Sequence, residues 1–248
     1  MKALALTIAF FLFLETRAQI NIVPFAGVNS TKMKTRYFYE NGGTFGIVGF
    51  ELELRKKPKS HHAAYLTLVT GLSYLKNGFN YSYSFSYTAL SYYTQNVTDM
   101  QMEYLQMPLI VRLNWQPFPL VEDWHIFFGA GLSNNLLIKS HLAEQYTYVF
   151  ISSDLLAPPE TTHYEDSQDV TEYGKKTNLF QRFEIGIKYK RIQLTWRLSQ
   201  SITDMYCDGL ETFWGVPDEN SDYISAQQAN GKTKEKYSEL VVGFRIGK

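Results

Sequence analysis

From about residue 20 onward the chain is made of stretches of roughly ten residues that alternate apolar with polar, joined by links that run long, short, long, short to the end. Strands that cross a bilayer at a tilt, with tight turns at one edge and long loops at the other, produce this pattern. In a compact soluble domain, loops of such length would count against the assignment. Here they support it.

Period-two parity tests each stretch. Between Tyr104 and Trp115 one face is Leu105, Met107, Leu109, Val111, Leu113 and Trp115, and the other carries Tyr104, Gln106, Pro108, Arg112 and Asn114. The last stretch sets Leu240, Val242, Phe244 and Ile246 against Glu239, Gly243 and Arg245. Phe183, Ile185, Ile187 and Tyr189, then Ile192, Leu194, Trp196 and Leu198, flank the link Lys190-Arg191 and read as a hairpin. Stretches over 124–132, 65–74 and 45–54 alternate in the same way, and 20–29 does so least clearly because Pro24 interrupts it. The sum is an all-β chain of about eight strands, a small antiparallel up-and-down transmembrane β-barrel with both termini on one side. Links 55–63, 116–123 and Lys190-Arg191 fall at the periplasmic edge; 30–42, 76–101, 134–176 and 204–235 fall outside. Within 76–101, Tyr81, Tyr83, Phe85 and Tyr87 alternate with serines, which suggests a hairpin standing above the surface.

Lys2, an apolar run from Ala3 to Leu14 and a polar segment ending at Ala18 read as a signal peptide, residues 1–18, with the barrel domain over 19–248. The run is too short to span a bilayer as a helix. Aromatic residues make up 16% of the chain and charged residues 19%, below the ~25% charged of a soluble domain. A barrel accounts for both, since alternate residues face lipid and aromatic rings gather at the interfaces. Zero formal net charge gives no electrostatic case for a nucleic-acid partner.

The inward parity collects Glu51, Glu53, Arg112, Arg182, Glu184, Lys188, Arg197, Glu239 and Arg245. A barrel of eight strands has room inside only for side chains. Because an unpaired buried charge is costly, these groups are expected to pair across the lumen and close it. Function then moves to the outer loops, one of which carries an acidic cluster, Glu160, Glu165, Asp166 and Asp169.

The leader, Phe25-Ala26-Gly27-Val28-Asn29 ending the first strand, Tyr104-Leu105-Gln106-Met107-Pro108-Leu109-Ile110-Val111-Arg112, and Phe128-Gly129-Ala130-Gly131-Leu132, in this order, resemble the PorT-type outer-membrane β-barrel proteins of Bacteroidetes. The resemblance covers the whole mature chain. It implies residence in the outer membrane, contact with its lipid, and for some members protein partners in a secretion or surface-attachment complex. It supplies no catalytic residues. The ending Phe244-Arg245-Ile246-Gly247-Lys248 departs from barrels that finish on an aromatic residue.

Two other readings compete with a structural, interaction or secretion-accessory role. An outer-membrane lipid or peptide hydrolase would need a constellation such as His141 and His163 with Ser152, Ser153, Asp154 or Asp166. His125 lies near a strand end, and the adjacent His61 and His62 point apart in extended chain, a poor metal pair. Cys207 has no partner for an internal disulfide. No catalytic, cofactor or metal pattern is present, and no porin-like open channel is expected. A soluble lipocalin-like carrier would invert the parity and place the apolar faces inside.

Overall fold

The computed structural model describes residues 18–34, 39–56, 64–87, 92–117, 123–150, 160–171, 176–203, 216–217, 223–224 and 234–246. Residues 1–17, which hold most of the expected signal peptide, and His61, His62, Ser152, Ser153, Asp154 and Cys207 lie outside the described residues. The strands in chain order are β1 (Ala18–Lys34), β2 (Tyr39–Lys56), β3 (Ala64–Tyr87), β4 (Tyr92–Trp115), β5 (Trp124–Phe150), β6 (Glu160–Asp169), β7 (Thr177–Tyr189), β8 (Ile192–Ser201), β9 (Val216–Pro217), β10 (Tyr223–Ile224) and β11 (Lys234–Phe244). All pairings are antiparallel, in the order β4-β3-β2-β1-β11-β8-β7-β5, and β4 also pairs with β5, so eight strands close on themselves. Among the described residues β6 joins only β5, and β9 and β10 form a small ladder of their own.

Parity decides which face meets what. On β4, Met107, Leu109, Val111, Leu113 and Trp115 are exposed, whereas Gln106, Arg112 and Asn114 are completely buried. β11 repeats this, with Leu240, Val242 and Phe244 outward and Glu239 enclosed. The polar parity is inside, so the lipocalin-like alternative fails: its ligand cavity would have to be lined by side chains that instead form the outer surface.

That outer surface is an apolar belt. From Leu105 to Trp115 the outward face of β4 is apolar for about 33 Å of strand, which at a barrel tilt of ~40° matches the ~25 Å apolar band of transmembrane barrels. Trp115, Trp124 and Tyr189 ring its lower edge, and the Trp124 and Tyr189 rings meet at 5.0 Å. At the upper edge the outward residues become charged: Lys32 and Lys236 pair across β1 and β11, while Lys76, Glu103 and Lys139 line up across β3, β4 and β5. Lys76 Nζ reaches Glu103 at 3.0 Å. The chain is a transmembrane β-barrel.

Two expectations about the strands change. Pro24 does not end β1, which stays in register with β2 from Ala18 to Ser30. Its missing donor falls on the side of β11, where the pairing that starts at Phe25 and Gly243 resumes only at the bridge between Ile22 and Ile246. Much of 134–176, read from the sequence as a link, is strand, and within 76–101 the hairpin expected above the surface is present. β3 and β4 stay paired up to Tyr87 and Tyr92, and β4 and β5 up to Tyr92 and Phe150. Above Leu136, β5 leaves β7 and takes β6 as its neighbour. The barrel wall therefore rises at one side into a sheet of β3, β4, β5 and β6 beyond the apolar belt.

At the opposite end the barrel turns tightly. Tyr189 and Ile192 pair directly, and Lys190 takes φ 53°, a left-handed conformation that closes the two-residue hairpin.

The belt makes a quantitative prediction. Val111→Arg, near the middle of the belt, is expected to cost about 2–4 kcal/mol of unfolding free energy in lipid vesicles, while Gln101→Arg, outward but above the belt, costs at most about 1 kcal/mol. Urea unfolding in vesicles followed by tryptophan fluorescence reads both.

Candidate functional site: a charge network filling the barrel

The inward carboxylates and cations converge from strands that are not neighbours. β2 supplies Glu51 and Glu53, β4 supplies Arg112, β7 supplies Arg182, Glu184 and Lys188, β8 supplies Arg197 and β11 supplies Glu239. All eight are at most 5% exposed. Four carboxylates face four cations, so the network is neutral as a whole.

Arg112 is the hub. Its Nε donates to Glu184 Oε1 at 2.6 Å, Nη1 to Glu53 Oε1 at 2.6 Å and Nη2 to Glu51 Oε2 at 3.1 Å. One planar fork thus holds β4 to β2 on one side and to β7 on the other. Lys188 Nζ shares Glu53 Oε1 at 2.6 Å from the turn end. Arg197 donates to Glu51 Oε1 at 2.5 Å and to Glu239 Oε2 at 3.2 Å, and its Nε lies 3.9 Å from Glu184 Oε2. Arg182 closes the chain, with Nη2 to Glu239 Oε2 at 3.2 Å and Nη1 to Gln106 Oε1 at 2.7 Å.

Aromatic faces complete the cations. The Arg112 guanidinium lies 4.3 Å from the centre of the Phe127 ring, Lys188 Nζ lies 5.1 Å from the same ring, and Arg197 lies 4.3 Å from Phe25. Room for this comes from small residues on intervening strands. A Cβ at Gly186 would sit 2.3 Å from Phe127 Cζ, and one at Gly129 would sit 2.6 Å from Glu184 Cγ. Neither position tolerates a side chain without moving the network.

A neutral layer lies toward the loop end. Gln106 Nε2 donates to Tyr237 OH at 2.6 Å, Asn135 Nδ2 donates to the same oxygen at 3.0 Å, and Ser73 Oγ donates to Gln106 Oε1 at 3.0 Å. Higher still, Leu75, Met100, Met102, Tyr104 and Leu137 pack into an apolar cluster. Beside it the buried Glu235 accepts from Asn77 Nδ2 at 2.6 Å. The interior is filled by two kinds of plug in series, one ionic and one apolar.

Arg245 is not part of this network. It sits half-exposed at the turn end, with its Nη2 donating to the Lys190 carbonyl at 2.8 Å. Its parity is inward, as expected, but its level is below the last carboxylate of the lumen.

Sequence reading places Gln106 on the inward face but not in a network, and it misses Asn135 and Tyr237, which carry no charge to mark them, and Glu235, assigned to a link. The continuation of alternation through Glu235, Tyr237 and Glu239 against Lys236 and Ser238 was the available signal.

The histidines considered for catalysis are apart. His141 pairs with Asp169 and His163 with Thr147, six positions away on the same ladder, or about 20 Å at ~3.3 Å per residue. His163 Nδ1 hydrogen-bonds Thr147 Oγ1 at 3.1 Å, and His125 packs edge-on against Tyr65 at 5.9 Å. The acidic cluster lies along the exposed strand β6. At its end the Thr171 hydroxyl and backbone N–H donate to Asp169 at 2.5 and 2.9 Å and hold that carboxyl below the usual aspartate range. No three of the described His, Cys, Asp and Glu side chains are placed to hold a metal ion.

No protein-family model matches the chain, and no curated protein matches it. Among solved structures the chain is similar to Neisserial surface protein A, with 10% identity over 93% of this chain and 100% of that one, at a TM-score of 0.43. It is similar to Ail, the attachment invasion locus protein of Yersinia pestis, with 8% identity over 92% and 99% at a TM-score of 0.28. CarO2 of Acinetobacter baumannii matches with 9% identity over 91% and 99% at a TM-score of 0.31. Likenesses this distant identify no family, and the barrel geometry carries the argument.

Two variants probe the network. Arg112→Met leaves Glu51, Glu53 and Glu184 without their shared cation and is expected to lower unfolding free energy by about 3–5 kcal/mol in urea titrations. Gly186→Val, which pushes Phe127 off its seat beside Arg112, is expected to lower it by about 1–3 kcal/mol in the same assay.

Proposed function

We propose that the chain is an outer-membrane β-barrel, exported by its N-terminal leader, that conducts no solutes and works through what it displays above the membrane. The carrying observation is the Arg112 hub with its three carboxylates, which spans the lumen between β4, β2 and β7. A barrel whose interior is occupied at that level, and again by the apolar cluster above it, offers its outer end to partners and not its bore.

The apolar belt supports residence in a bilayer, and a closed antiparallel barrel with such a belt suits the outer membrane of a double-membraned cell. In that orientation the termini and the Lys190-Arg191 turn are periplasmic, and the raised sheet of β3 to β6 is outside. The sequence motifs around Tyr104–Arg112 and Phe128–Leu132 support kinship with PorT-type proteins, and with it a non-catalytic role in attachment or secretion through protein partners. The separation of His141 from His163 favours that role over hydrolysis.

The test is topological. Protein in outer-membrane fractions should migrate faster unboiled than boiled, and a protease-site tag placed between β5 and β6 should be cut on intact cells, while one at Lys190-Arg191 is cut only after the outer membrane is breached. The reverse cutting pattern, or recovery in the soluble fraction, would overturn the proposal.

A further inference from the structure

At the turn end the lumen opens into a cavity of about 270 Å³. Among the described residues, Arg55, Lys190, Arg191 and Arg245 line it against a single carboxylate, Asp123. The arrangement is built by backbone ties between segments far apart in sequence. Lys190 N donates to the Asp123 carbonyl at 3.1 Å, and Arg245 N donates to the Arg191 carbonyl at 2.6 Å, so the Lys190-Arg191 turn is fastened to the start of β5 and to the end of the chain. Arg55, the last inward residue of β2, points its Nε to Gln19 Oε1 at 2.8 Å.

These cations differ from those of the lumen. The charge network above is neutral, and Lys188, nearest the mouth, already has Glu53 at 2.6 Å. Among the described residues no carboxylate forms an ion pair with Arg55, Lys190, Arg191 or Arg245. Among the described residues, the four less Asp123 leave an excess of three positive charges around one cavity. Asn21 lines the same cavity, is 2% exposed, and its amide Nδ2 has no hydrogen-bond partner.

We infer that this mouth is a binding site for a phosphate group, held by Arg55, Arg191 and Arg245 with the Asn21 amide as an additional donor. Guanidinium forks match phosphate oxygens in pairs. A phosphate monoester brings about −1.5 to −2 charges and three free oxygens, more of both than a carboxylate, and the phosphodiester of a lipid headgroup brings one charge on two free oxygens that the same forks can hold. The volume holds a phosphate and part of the group it is attached to. In the proposed orientation two sources reach the site: a free phosphate compound in the periplasm, or the headgroup of a lipid in the leaflet whose edge Trp115, Trp124 and Tyr189 mark.

The experiment uses the full chain folded in zwitterionic detergent at constant ionic strength. Inorganic phosphate, with chloride as the matched control, is titrated and followed by calorimetry; short-chain phosphatidylglycerol is titrated in a second arm. The variants are Arg191→Gln, on the exposed turn, and the double variant Arg191→Gln with Arg245→Gln. Lys139→Gln, outward at the other end of the barrel, serves as the control for general charge. Saturable binding that weakens at least tenfold in the double variant, several-fold in Arg191→Gln, and not at all in Lys139→Gln is expected. Binding of inorganic phosphate assigns a free phosphate compound, and binding of phosphatidylglycerol alone assigns the lipid headgroup. Lack of saturable binding of either probe, or equal binding by Arg191→Gln and the unchanged protein, overturns the proposal. Arg191→Gln keeps the test readable if the double variant fails to fold.

Discussion

A carboxylate or guanidinium removed from water costs several kcal/mol unless an opposite charge meets it in good geometry. Eight buried charged groups form the network and each meets an opposite charge there, while a ninth, Glu235, accepts a hydrogen bond from the Asn77 amide instead. Arg112 and Arg197 meet theirs by linking strands that share no backbone ladder, β4 with β2 and β7, and β8 with β2. The network contributes little net stability compared with an apolar filling of the same volume, since desolvation offsets most of the attraction. Its consequence is specificity. A slip of one residue in any of these strands would turn its charge into lipid and leave the partners unpaired.

Small residues are the other half of that arrangement. Gly129 on β5 leaves space for the Glu184 stem, and Gly186 on β7 lets Phe127 lie where it faces both Arg112 and Lys188. Charged side chains from five strands can meet in one lumen because neighbouring strands withhold theirs. The loop end is finished by different means, the hydrogen bonds around Tyr237 and the apolar cluster about Met102 and Tyr104.

Parity made the strands and the identity of the lumen charges legible in the sequence, because period two assigns a face to each residue once the outward apolar stripe is recognised. The pairing of Arg112 with Glu184 was not legible: it depends on strand order and stagger after closure, which no local pattern encodes. The extent of strand within segment 134–176 is hidden for a related reason. Above the belt neither face of a strand needs to be apolar, so stretches rich in Ser, Thr, Asn and Tyr alternate without a stripe, and only their cross-strand partners reveal them. Arg245 shows the limit of parity itself, since it gives a side chain's face and not its height in the barrel.

If the lumen is closed by the charge network, the folded protein should be electrically silent. Single-channel recording on the unmodified chain inserted in a planar lipid bilayer tests this most directly. The account predicts baseline current without stable steps across the usual range of voltages and salt. Long-lived conductance steps of uniform size, carried by the folded barrel, would contradict it.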